Sequence, residues 1–269
     1  MCGRYVTITK VKEIEKRFDV TADDPSAFQA SANVSPGQKA AVVTNAAPDQ
    51  LQFFQFGFTP SWAKKQMYVI NARSEGDQNP NNDRQYTGGM GIIQKPMFRS
   101  SIRSRRCLVV ADAFIEGPEK EKLNKPHCVY PRYGDRPFAF AGIWDEWVNQ
   151  ATGEIIKSFA IITTQANDVL ERIGHHRSPV ILNQEDEQLW LDSKAELPDI
   201  TSLLRPVADD FLNAYPIGVE IKSPRAHALG LLKPIGERIF PEHTYALHQD
   251  LKLEGMGAST GRQRRLFED

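Results

Sequence analysis

The strongest constraint on this chain is a succession of short segments rich in valine, isoleucine and aromatic residues, most of them bounded by proline, glycine or asparagine. They fall at residues 40–44, 51–58, 68–73, 107–116, 127–133, 138–148, 154–164 and 180–182. β-Branched and aromatic side chains suit a pleated, half-buried surface, and the bounding residues supply turns. Helices are expected only between or beside these segments. Residues 10–20 carry Val11, Ile14 and Phe18 at helical spacing among charges. Residues 167–173, 184–191 and 200–204 read as further short helices, with Asn183 as a cap, Glu185 and Asp186 complementing the first-turn dipole, and Pro206 as a stop. The expected fold class is α+β: a β-rich single domain with a large, mainly antiparallel sheet and a few peripheral helices.

At 269 residues, 41% of them hydrophobic, the chain can bury the core that such a sheet needs. One domain is expected over residues 2–240, followed by a C-terminal extension at 241–269 that is poorly ordered from about 255. Residues 76–94 and 118–126 show neither period and read as surface excursions. Three cysteines, an odd number, and no apolar leader argue against a disulfide framework and for a reducing, cytoplasmic setting, and no apolar run is long enough to span a membrane. A net charge of −1 gives no global attraction to nucleic acid, so any such binding must come from a local patch. A monomer is expected.

Chemistry concentrates at four places. Met1-Cys2-Gly3-Arg4-Tyr5 puts a cysteine directly behind the initiator methionine. Once that methionine is trimmed, Cys2 is a 1,2-aminothiol, whose amine (pKa about 7.7–8.0) condenses with an aldehyde and whose thiol then closes a thiazolidine. The alternative is a small apolar residue that merely packs. In 68–73, Asn71 and Arg73 share one face of a strand, an amide beside a guanidinium, suited to orienting a polar adduct next to a phosphate or to ending a strand in solvent. Glu116 ends the long apolar run 107–116, where partial burial raises a carboxyl toward the range useful for general acid–base work. His175 and His176 lie on a helix-to-strand connection, a setting for proton transfer. Adjacent histidines rarely share one ion, and no metal-binding spacing occurs, so no metal is expected.

Residues 95–106 add a basic patch: Lys95, Arg99, Arg103, Arg105 and Arg106, with no acid among them. Phosphate contact with Trp62 and Phe98 stacking on bases is one reading, and a solvated helix face the other.

These pieces resemble the SRAP family, the SOS-response-associated peptidases. The matching stretches are Met1-Cys2-Gly3-Arg4-Tyr5, Gly57-Phe58-Thr59-Pro60-Ser61-Trp62-Ala63, Asn71-Ala72-Arg73-Ser74-Glu75, Pro96-Met97-Phe98-Arg99, Phe114-Ile115-Glu116 and His175-His176-Arg177-Ser178-Pro179, in the family's order. The resemblance implies a sensor of abasic sites in single-stranded DNA, acting without a cofactor in the DNA damage response. Cys2 would form a stable thiazolidine with the ring-opened abasic sugar, Asn71 would orient the adduct, and Glu116 would shuttle protons. His175 would be a second acid/base, giving the pH profile an inflection near that of imidazole, roughly 6.5. Arg4 and Arg73 would hold phosphates flanking the lesion. Gly117 stands where relatives usually carry a tryptophan, and Ser178 where methionine is usual. Two other function classes remain open at this point: a cysteine peptidase with Cys2 as nucleophile, and a non-catalytic single-strand binder.

Overall fold

The computed structural model describes residues 3–133 and 136–242. The chain runs β1 (Tyr5–Thr7), α1 (Val11–Phe18), β2 (Thr21–Ala22), β3 (Ser31–Val34), β4 (Lys39–Thr44), β5 (Ala47–Phe56) and β6 (Asn71–Arg73). It continues through α2 (Ser101–Ser104), β7 (Arg106–Ala111), β8 (Ala113–Glu116), β9 (His127–Pro131), β10 (Phe138–Val148) and β11 (Ile155–Gln165). The last part holds α3 (Asp168–Ile173), β12 (Arg177–Pro179), β13 (Ile181–Leu182), α4 (Gln184–Leu191), α5 (Leu197–Ser202) and β14 (Leu212–Pro216).

Two sheets result. The larger follows the order β12-β11-β10-β7-β4-β5-β2, with β6 beside β11 and β13 beside β10. A parallel pairing of β5 with β11, Ser158 opposite Gln55, closes β11-β10-β7-β4-β5 on itself, so the sheet is barrel-like. The smaller sheet is entirely antiparallel, in the order β14-β9-β8-β1-β3. The α+β, β-rich, single-domain expectation is therefore met. Three of its strands, β1, β3 and β14, carry no sequence signal strong enough to be read in advance, because each is too short to show an alternation.

The long apolar runs make sense once both faces of the larger sheet are seen to be covered. Along β7, Cys107, Val109 and Ala111 enter the core between the sheets, while Leu108 and Val110 enter a second core with Ile14, Trp190 and Ile200 of the helices. β10 and β11 divide in the same way, Phe140 and Phe159 against Ala141 and Ala160. A strand buried on both faces loses its polar alternation. The run 107–116, expected as one strand, is two. At Asp112 the chain leaves the larger sheet and enters the smaller one. The buried Asp112 carboxylate accepts the Ile8 and Thr9 amides at 2.6 and 2.9 Å and the Thr9 hydroxyl at 2.5 Å, which fixes the far end of β1 against β8. The expected helix at 200–204 lies earlier, at Leu197–Ser202, with proline in its first turn. Most of the C-terminal extension, 243–269, is outside the described residues, as is Cys2.

Candidate active site

β1 carries the amino end of the chain to the site. Tyr5 lies opposite Phe114 and the Ile115 amide donates to the Arg4 carbonyl at 2.9 Å, a register that brings Gly3 opposite Glu116. Glu116, the last residue of β8, is only 5% exposed, and burial pushes its carboxyl up to about 7. At neutral pH it is therefore close to half protonated.

His175 meets it from another part of the chain. Asn167 caps α3 by accepting the Leu170 amide, and Gly174 ends the helix in the left-handed conformation (φ 85°). That reversal turns the His175 ring inward, where Nδ1 is 2.9 Å from the Gly117 carbonyl and Nε2 is 3.5 Å from Glu116 Oε2. A carbonyl only accepts, so Nδ1 carries the proton and Nε2 turns a lone pair toward the acid. Burial, first, pushes the His175 imidazole down to about 3, so it is neutral throughout the physiological range. This corrects the expected inflection near 6.5: the group of this pair that titrates near neutrality is the carboxyl, because both are buried and burial opposes charge on either.

Asn71 and Arg73 stand on β6, one side of β11, with Arg73 opposite Thr163. Thr163 is also opposite Pro179 of β12, so β6 and the segment after His175 flank the same stretch of β11. Both Asn71 and Arg73 are half-buried, and a guanidinium nitrogen of Arg73 donates to the Asn79 carbonyl. Sequence reasoning gave no role to the pair that locks these segments together. Arg177 donates to both Glu75 oxygens at 2.7 and 2.8 Å, and also to the Thr163 carbonyl, with both side chains out of solvent. Burial works to raise the Glu75 carboxyl, but the Arg177 hydrogen bonds and charge hold it below the usual range. An acid two residues beyond a strand end, and an arginine two beyond the key histidine, were the only signals available.

Arg4 is half-buried, its guanidinium held by the Ser35 hydroxyl and the Lys222 carbonyl. Trp62 is 62% exposed on the segment between β5 and β6. The basic patch at 95–106 is dismantled by the fold. Arg106 is buried and donates to the carbonyls of Ile102, Arg103, Trp190 and Asp192; Arg105 pairs with Asp145 and Lys95 with Asp77; Arg103 caps the carbonyls of Ile93 and Arg99. Arg99 is exposed and is the member of the group with no side-chain partner among the described residues. No group of three or more histidine, cysteine or acidic residues that could hold a metal occurs among the described residues.

What the seam of the two sheets holds, where the amino end of the chain arrives, is a buried acid beside a buried imidazole in a β-rich α+β domain. The chain belongs to the family described as SOS response associated peptidase (SRAP), whose model matches residues 1–224. It is similar to the abasic site processing protein YoqW of Bacillus subtilis (strain 168), 31% identical over 87% of this chain and 99% of that protein. It is also similar to the abasic site processing protein HMCES of Xenopus tropicalis, 25% identical over 75% of this chain and 65% of that protein. Among solved structures, a Bacteroides thetaiotaomicron protein shares 27% identity and superposes with a TM-score of 0.73, over 87% of this chain and 99% of the other. No helix among the described residues is long and apolar enough to cross a membrane.

Proposed function

We propose that this protein captures abasic sites in single-stranded DNA as a covalent thiazolidine on Cys2. The observation that carries the reading is the register of β1 on β8, which leads the amino end of the chain to Glu116, a buried acid poised near neutrality beside a neutral imidazole. The similar proteins named for abasic site processing support the substrate.

In this reading the Cys2 amine, freed by removal of Met1, attacks the aldehyde of the ring-opened sugar. The carbinolamine loses water to give an imine, and the thiol adds across the C=N bond. Amine, thiol and aldehyde become one ring and one water, with no oxidant or reductant required. Glu116 donates the proton that opens the sugar and the one that leaves with water, and takes back those released by nitrogen and sulfur. His175 Nε2 accepts from the protonated carboxyl and fixes its direction. Asn71 orients the adduct, and Arg4 and Arg73 hold flanking phosphates. Trp62 offers a stacking surface to an unpaired base, and Arg99 a further contact to the strand.

The test is denaturing electrophoresis after mixing the protein with an abasic oligonucleotide. A band that survives SDS is expected with single-stranded DNA from the chain lacking Met1, with little from duplex. Cys2→Ala, which keeps an amine but has no thiol to close the ring, is expected to lose the stable band altogether. A parental yield from Cys2→Ala, or from a chain extended at its amino end, would overturn the thiazolidine. A shift seen only on native gels would leave a non-covalent binder.

A further inference from the structure

The segment between β8 and β9, residues 117–126, is a surface excursion as expected, exposed at Glu119, Lys120, Lys122, Asn124 and Lys125, but its start is tied back beside the acid–histidine pair. A side chain at Gly117 has no room, since a Cβ there would lie 1.9 Å from the Lys122 carbonyl oxygen. The Glu119 amide donates to the Gly174 carbonyl at 3.0 Å, joining the segment to the histidine turn. The nearest Glu119 carboxylate oxygen lies 3.1 Å from His176 Nδ1, though not in hydrogen-bonding geometry, and the His176 ring lies nearly parallel to that of His175, 27° apart with centroids 5.3 Å away. Exposure falls through these layers: the side chain of Glu119 is 67% exposed, that of His176 32%, and those of His175 and Glu116 6% each. At its other end the segment is held where Lys222 Nζ donates to the Asn124 amide oxygen at 2.5 Å.

We propose that His176, set beside Glu119 and over the His175 ring, is a positioning residue: it is the cover that keeps water from the Glu116–His175 pair, and so it sets the pH range over which the pair works. The inference rests on the abasic-site reading only for its kinetic test. The groups that face the pair are few. Glu116 has His175 on one side, His127 opposite it on β9, and the amino end of the chain arriving through Gly3. His176 has Glu119 and His175, with Arg177 and Arg73 beyond and Arg84 and Glu171 across a small cleft. Neither His175, neutral at any working pH, nor the solvated Glu119 can hold the Glu116 carboxyl up by charge. Exclusion of water does so, and the His176 ring is a part of that wall that can be substituted without touching the pair's hydrogen bonds.

The experiment compares the parent chain with His176→Ala and His176→Phe in adduct formation on abasic single-stranded oligonucleotide from pH 5 to 8.5. The parent rate is expected to fall with a midpoint near 7 as Glu116 loses its proton. His176→Ala should move that midpoint down by about one pH unit or more, because a carboxylate reached by water ionises more readily. The rate at pH 5, below both midpoints, should stay within a few-fold of the parent. His176→Phe should keep the parental midpoint, since it restores the cover without an ionisable ring. An unchanged midpoint in His176→Ala, or an equal shift in His176→Phe, would overturn the proposal. Carbon-13 NMR titration of the Glu116 carboxyl, assigned by difference from Glu116→Gln, reads the same midpoint in the absence of DNA. A chain that formed no adduct would contradict the proposed function yet leave the cover to stand or fall on that titration.

Discussion

Replacing Glu116 by glutamine is expected to slow adduct formation by about 10²–10⁴-fold while leaving the product a thiazolidine. Glutamine preserves the shape of the side chain and can still meet His175 Nε2 through its amide, but it exchanges no proton on the timescale of the reaction. The same substitution should stabilise the fold at neutral pH and above. The folded-state carboxyl ionises near 7 against an ordinary value of 4.5. For an acid raised in this way the penalty of folding is absent below about 4.5, where both states are protonated, and grows as the pH rises to 7. Above that it levels off at about 3 kcal/mol, because each pH unit between the two ionisation points contributes about 1.4 kcal/mol. Glutamine removes the penalty, so the variant should gain stability over the parent as the pH rises through that window. Single-turnover kinetics and urea unfolding at pH 4, 6 and 8 check the two halves separately. A parental rate across pH 5–8 would return Glu116 to the status of a strand-end residue.

The second large effect concerns a pair that touches no substrate. Arg177→Met is expected to destabilise the protein by about 3–5 kcal/mol, because it leaves the Glu75 carboxylate buried without its cation. The Thr163 carbonyl loses a donor at the same time. Removing both charges, in Glu75→Leu with Arg177→Met, should recover most of the loss, since the desolvation of two ions disappears with them. Urea unfolding of the two single variants and the double variant gives the comparison. A loss below about 1 kcal/mol in Arg177→Met, the size of an exposed pair, would mean that water reaches the carboxylate and that the pair does not lock β6 to β12.

Much of this architecture was legible from the residues alone. The long strands β10 and β11 show as runs of β-branched and aromatic residues and α1 as a helical period, none of which needs tertiary information, while α4 starts behind Asn183 as expected although the Asn183 side chain makes no capping bond. What escaped was set by distant partners. The break at Asp112 depends on the amides of Ile8 and Thr9, more than a hundred residues away, and nothing local marks it. The basic run 95–106 misled because charge along a sequence does not say which guanidinium will be spent on carbonyls, as that of Arg106 is. Glu116 and His175 were each visible as candidates, yet their meeting and the neutral state of the imidazole depend on the Gly117 carbonyl and on burial. Gly117, noted in the resemblance as a departure, gave no hint of what takes up the room. Backbone of the following segment fills it.

The division of one run of chain at Asp112 has a mechanical side. It hands Glu116 to the small sheet, while His175 sits on a turn that β12 ties to the barrel-like sheet. The acid and the histidine of the proposed site therefore ride on different sheets, and the gap between their side chains gauges how those sheets are seated. Seating is governed by edge-on aromatic contacts across the seam, Tyr5 against Phe56 and Phe140, and Phe114 against Phe140, at 5.5, 6.0 and 5.9 Å. A displacement of about 1 Å between reacting groups can lower a rate by about 10²-fold. Trimming one of those rings would act on the chemistry as a slipped bearing acts on meshed gears, with every tooth intact and the drive lost.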